Sequence, residues 1–196
     1  MQSRPKYKIA RRYGPELFEK TNTQKFALRE AQRDGKKMRG RSDYGIQLAE
    51  KQKARFLYGI SDRQLAVYAR RALLKRGAAA GDLFMSLETR LDNIAYRAGL
   101  ATTRSGARQL VSHGHLTVGG RRSTIPSRAV RVGEVVAVRA ASAQKKLWLE
   151  EKEANTTPQW LVYDKEKRAI SVSNMPELRR DELPFRIDAV LEFYKR

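Results

Sequence analysis

The sequence predicts an α+β fold, mainly helical at both ends around a middle unit of two helices and a small antiparallel sheet. Three observations predict it. Apolar residues recur at helical spacing through the first half and switch to a period of two near residue 115. The C-terminal segment carries Leu183, Phe185, Ile187, Val190, Leu191, Phe193 and Tyr194, too apolar for a free tail, and the N-terminal region has unpaired core residues to receive it. The charge is uneven: residues 1–80 hold 21 basic and 7 acidic side chains, residues 81–150 hold 11 and 5, and residues 151–196 hold 9 of each.

Within residues 1–42, Pro5, Gly14, Pro15, Gly35 and Gly40 interrupt any long element, so irregular backbone and short helical pieces are expected. Asp43 to Tyr58 is helical in composition, with apolar residues not confined to one face. Ser61 and Gln64 form the signature of a capping box, opening a helix with Leu65, Tyr68, Ala69, Ala72 and Leu73 on one stripe that Gly77 stops. Gly77 to Gly81 reads as a small-residue hinge. Asp82 is then expected to cap a single helix to Ala98, whose apolar residues share an arc of roughly 120° and whose left-handed stop is Gly99. Thr103 caps a helix over 104–112. Strands follow at His115–Val118 and Arg121–Ile125 around a Gly119-Gly120 turn, and Val135, Val136 and Val138 lie beyond a Gly133-Glu134 turn. A charged helix or loop covers 144–154. Two strands at 160–163 and 169–172 and a short terminal helix complete the chain.

The 196 residues carry 41 Lys+Arg against 21 Asp+Glu, a net charge of +20. Such an excess costs stability by self-repulsion, which points to an anionic partner. With 0 Cys, disulfides, thiol catalysis and Cys-type zinc sites are excluded, and 2 His make a poor metal site, so no cofactor or metal is expected. No apolar run reaches the ~18 residues of a membrane span and no signal-peptide core follows Met1, which predicts a soluble cytoplasmic protein.

Nucleic acid fits the pattern better than a membrane surface, because the basic stretch from Arg33 to Arg41 has two glycines and one Met rather than an apolar face. Its Lys36, Lys37, Arg39 and Arg41 read as an extended arm ordered on phosphates. Lys51, Lys53 and Arg55 fall on different sides of their helix, and Arg70 and Arg71 flank the next. The strongest constellation is Arg104 and Arg108, one turn apart, then His113 and His115 around a glycine, then Arg121 and Arg122 after the hairpin turn. The His pair reads either as RNA-facing or as a strand edge with satisfied imidazoles. A catalytic reading of Arg90-Leu91-Asp92 fails, since Asp92 is expected opposite the apolar stripe and no catalytic domain follows. DNA reading is disfavoured by a recognition helix of about nine residues. No Walker loop, dinucleotide fingerprint or nucleophile elbow is present, so the chain reads as non-enzymatic.

Residues 87–100 (LETRLDNIAYRAGL) and 103–115 (TRSGARQLVSHGH) resemble the helical half of the S4 RNA-binding domain, and Val118-Gly-Gly, Ile125-Pro-Ser and Val132-Gly-Glu resemble its sheet. Ser42-Asp-Tyr-Gly-Ile-Gln-Leu, Glu50-Lys-Gln-Lys-Ala-Arg, Tyr58-Gly and the terminal Leu191-Glu-Phe-Tyr-Lys-Arg extend the likeness to the bacterial ribosomal S4 family in a zinc-free form. This resemblance implies a discontinuous mainly helical domain with an inserted S4-type domain. The expected division is a basic extension at 1–42, helical part at 43–81, S4 domain at 82–145, additional strands at 146–173 and a C-terminal return at 174–196. It further implies binding to the 5′ region of the small-subunit rRNA as an early assembly step, beside the channel where mRNA enters. Neighbouring small-subunit ribosomal proteins, S5 foremost and S3 also, are implied partners, with an influence on decoding accuracy. A stand-alone S4-domain RNA-modification or stress factor visiting the ribosome is the alternative.

Overall fold

The computed structural model describes residues 5–31, 42–75, 77–143 and 157–195, which form two compact units. One comprises the described residues up to Ala80 together with those from Arg179, and the other runs from Gly81 to Leu178. The basic arm with Lys36, Lys37, Arg39 and Arg41, and the segment at 144–154, lie outside the described residues.

The first unit is helical: α1 (Lys6–Tyr13), α2 (Gln24–Ala31), α3 (Asp43–Leu57), α4 (Asp62–Leu74) and the C-terminal α9 (Ile187–Lys195). Ser42 and Ser61 cap α3 and α4 by accepting from the N–H groups of Gly45 and Gln64. The Gln64 side chain does not close the reciprocal half of a capping box; it donates to the Tyr68 hydroxyl at 3.2 Å. Helix α9 packs on α3 and α4. It buries Ile187, Val190 and Leu191, while Phe185 just before it meets the edge of Tyr58. The buried Glu50 accepts the Arg186 N–H at 2.7 Å and pairs with Lys53 at 3.0 Å, so a carboxylate on α3 holds the incoming chain. Residues 6–31 are more than a basic extension, since Ile9, Ala10, Leu17 and Phe26 are buried and Tyr13 packs on Phe56.

In the second unit, α5 (Ala79–Glu88), whose first two residues precede the unit, is followed by α6 (Leu91–Arg97), α7 (Arg104–Ser112) and α8 (Ala140–Ala143). A five-stranded antiparallel sheet has the order β2-β1-β3-β5-β4, with β1 Leu116–Val118, β2 Arg121–Ser123, β3 Val135–Val138, β4 Leu161–Asp164 and β5 Ala169–Val172. Gly119 and Gly120, both at positive φ, make the turn that sets β1 against β2. Alternation along the strands sends Leu116, Val118, Val136, Ile170, Val172 and Leu161 into one core with Leu91, Ile94, Ala107, Leu110 and Val111 of α6 and α7.

Three expectations are corrected here. The single helix over 82–98 is two helices, and Asp82 lies within the first turn of α5, which begins inside the expected hinge. The break has a backbone cause. Arg90 bridges Ala129, the N–H groups of Leu91 and Asp92 donate to the carbonyls of Arg128 and Pro126, and Val130 donates to Thr89. The loop after β2 thus takes the hydrogen bonds that a continuous helix would have made internally. The return strand stops at Ser123 rather than Ile125.

Candidate nucleic-acid interface

The break between α5 and α6 creates the polar centre of the second unit. It turns Glu88, Arg90, Asp92 and Asn93 inward, all of them buried, where a regular helix would have set Asp92 opposite the core. Arg90 binds Asp92 through two hydrogen bonds, Nε to Oδ1 at 3.0 Å and Nη2 to Oδ2 at 2.6 Å. Such a fork satisfies both charges in one plane and is strong when desolvated. Asp92 also faces Arg108 of α7, whose Nη1 lies 4.0 Å from Oδ2.

Glu88 organises a second set. Its two oxygens accept from Arg97 at 2.8 and 3.0 Å, and Asn93 donates to its Oε2 at 2.8 Å. The Asn93 carbonyl oxygen in turn accepts from Arg104 Nε at 3.3 Å, and the Arg104 guanidinium stacks 4.3 Å from the centroid of Tyr96. Arg104 and Arg108 are therefore aimed from beneath by Asn93, Tyr96 and Asp92. The Arg108 side chain still keeps 41% of its surface exposed. The lever is the first-turn geometry of α7, where Thr103 Oγ1 accepts from Gly106 N–H and places the two arginines on one flank.

At the other end of α7, Arg122 lies across Gly114 and donates to the carbonyl of His113 at 3.4 Å. Gly114 has φ +72°, and a Cβ there would collide with the Arg122 guanidinium. A cation at a helix C-terminus also suits the dipole. Arg121, Arg122 and His113 are exposed. On the opposite flank of α7 a cavity of about 210 Å³ is lined by residues including Leu100, Gly106, Gln109, Leu110, His113 and His115.

The remaining expected site residues divide. His115 is buried and its Nδ1 lies 3.0 Å from the Ser142 hydroxyl, so its ring is held by the interior rather than presented as an exposed cation. In the first unit, Lys51 and Arg55 both pair with Asp62, and their side chains are only 11% and 13% exposed. Lys51 lies 4.5 Å from the Phe193 ring centroid, Arg55 covers Phe56 and Lys53 binds Glu50. These three, expected to face RNA, are engaged within the first unit by groups of α3, α4 and α9. Arg70 and Arg71 are exposed on α4. Sequence reasoning missed Glu88, Asn93, Tyr96 and Arg97. The signal was the dense polar run Arg90, Asp92 and Asn93 inside an apolar stripe, which a helix could not have placed on one solvated face.

Among the described residues no group of three or more His, Asp or Glu side chains could hold a metal ion, and no helix is long and apolar enough to cross a membrane.

Comparison with known proteins extends over both units. The S4 domain family matches residues 89–136, the stretch holding α6, α7, β1, β2 and the start of β3, and the family of the ribosomal protein S4/S9 N-terminal domain matches residues 2–88. The small ribosomal subunit protein uS4 of Akkermansia muciniphila is 39% identical over 98% of this chain and 97% of its own length. The chain belongs to the uS4 family. The uS4 of Acetivibrio thermocellus is 40% identical over 96% of both chains, and that of Listeria monocytogenes is 45% identical over 79% of this chain and 78% of its own. The uS4 family consists of structural ribosomal proteins rather than enzymes, in keeping with the polar centre described above, whose ionisable groups are paired with one another.

Proposed function

We propose that the chain is a structural constituent of the small ribosomal subunit that grips the 5′ region of the small-subunit rRNA with the arginine surface of its second unit. The observation that carries the reading is that half-buried Arg104 and Arg108 are held at fixed spacing by buried Asn93 and Asp92, with 41% of the Arg108 side chain still in solvent. A guanidinium already ordered loses less side-chain entropy when it meets a phosphate. Arg121 and Arg122 extend the surface past the turn, and a helix flank beside a turn suits bent or junctional RNA. The uS4 names of the relatives support the same reading. On it, the protein resides in cytoplasmic ribosomes beside the channel where mRNA enters, neighbours proteins S5 and S3, and influences decoding accuracy. Arg70 and Arg71, with Lys36, Lys37, Arg39 and Arg41 of the arm, add further phosphate contacts.

Sedimentation tests the place in the subunit: the tagged chain should run with small subunits at one copy each, whereas a transient factor would be substoichiometric. Salt titration tests the surface. Replacing Arg104 and Arg108 together by Ala should flatten the slope of log K against log salt by about two. Replacing Lys51 and Lys53 by Ala should leave it unchanged, because those ammonium groups already face Asp62 and Glu50.

A further inference from the structure

A second concentration of cations sits in the first unit, among residues the charge pattern did not single out. Helices α1 and α2 meet through Tyr7 and Phe26, whose ring centroids are 6.0 Å apart at a tilt of 36°. Phe26 is buried, while Tyr7 leaves 52% of its surface in solvent. Beside the rings is a pocket of about 120 Å³ bordered by Arg11, Lys20, Lys25 and Arg29, with Thr23 at its rim. That is several times the roughly 30 Å³ share of one water, room for a phosphate group rather than an enclosure for a whole nucleotide. Among the described residues no carboxylate borders it, and Lys20, Lys25 and Arg29 make no ion pair with any of them. Like charges such as Lys20, Lys25 and Arg29 around one small space repel one another unless an anion joins them. Thr23 caps α2 by accepting from Phe26 N–H, so the pocket also opens at the start of a helix, where first-turn N–H groups lack internal acceptors.

We propose that this pocket takes the phosphate of one unpaired nucleotide of RNA, among Lys20, Lys25 and the two arginines, while its base lies outside on the exposed ring of Tyr7. The inference rests on the reading of the chain as an rRNA-binding protein and adds a single-strand subsite to it. An acidic peptide would satisfy the cations but leave the exposed ring without a partner. A nucleotide offers a planar π-face and a phosphate together, the combination that stacking platforms in basic grooves recognise.

The test uses the full chain and a ten-nucleotide oligoadenylate. Tyr7→Ala should weaken binding about tenfold, within the range for loss of one base–aromatic stack, and Tyr7→Phe should bind as the parent does. Lys20→Ala with Lys25→Ala, surface changes that leave the ring packing alone, should flatten the salt slope by about 1.4. Photo-crosslinking with a ten-nucleotide 5-iodouridine oligomer should attach it to Tyr7. Equal binding by Tyr7→Ala and Tyr7→Phe, or equal affinity for polyglutamate and oligoadenylate, would overturn the proposal, the latter by showing a plain anion sink. If the Tyr7 variants change nothing while Arg104→Ala with Arg108→Ala still weakens rRNA binding, this pocket fails and the reading of the second unit stands. If neither pair matters, both fail.

Discussion

Each unit buries carboxylates, and they do opposite work. In the first, Glu50 accepts a backbone N–H from Arg186, 136 positions away in sequence, and so fastens one end of the chain to the other. In the second, Asp92 and Glu88 gather arginines from their own neighbourhood and, directly or through Asn93, set those of α7 at the surface. The same residue type therefore closes a domain in one place and aims a binding surface in the other. What differs is the partner: Glu50 divides its oxygens between a backbone amide and Lys53 inside the first unit, whereas a long guanidinium can be held by a carboxylate and still reach solvent.

Cutting the chain after Asn174 should break the contrast most sharply. It removes Phe185, Ile187, Val190 and Leu191 from the first core and leaves Glu50 without the Arg186 amide. At about 1.5 kcal/mol or more per large buried side chain the loss reaches about 6 kcal/mol, enough to unfold a marginal unit. Hydrogen exchange should show α3 and α4 unprotected while α6, α7 and the sheet keep their protection. Full protection of α3 and α4 in the truncated protein would show that their core is complete without the C-terminal segment.

Asp92→Ala is the matching lesion in the second unit. It takes from Arg90, which is 1% exposed, the carboxylate that binds it through two hydrogen bonds, and removing one partner of a buried ion pair costs about 3–5 kcal/mol. Chemical denaturation should register that cost in the second unit, with the first unaffected. Changing Arg90 to Met and Asp92 to Leu together should recover much of the stability but not the RNA affinity, because Arg108 has then lost the group that aims it. Recovery of both would assign the pair to stability alone.

The smallest effect concerns alkaline pH. Burial, with Asp62 adding to it, raises the Tyr194 hydroxyl from 10.0 to about 12, and Arg70 and Arg55 partly oppose this. The folded first unit thus keeps the phenol protonated where the unfolded chain ionises it. Its stabilisation is complete below about pH 10 and is lost as the pH rises toward 12. Tyr194→Phe should make the first unit less sensitive to that interval in a thermal scan, and an unaltered profile would remove the phenol from the account. The second unit should not change.

Much of this was legible in the chain. Caps at Ser61 and Thr103, the Gly119-Gly120 turn and the change of period near residue 115 are local signals, and the structure places elements at each. Resemblance in the α6–α7 stretch carried the family. Charge alone could not show the partners: Lys51 and Arg55 meet Asp62, seven or more positions on, while Arg104 and Arg108 meet Asn93 and Asp92.

The sequence by itself determined most of the helix and strand positions, the sign of the partner and the family, because propensity, period and composition act over a few residues or over the whole sum. Tertiary structure alone decided three things. It broke the helix at Thr89–Arg90, because the loop at 126–130 supplies acceptors and donors for that backbone. It put Asp92 inside, where its charge is affordable only beside Arg90. And it drew Tyr7, Lys20 and Lys25 around one space. Each depends on groups distant in sequence meeting at hydrogen-bond or Coulombic range, and a meeting of that kind exists only once the chain has folded.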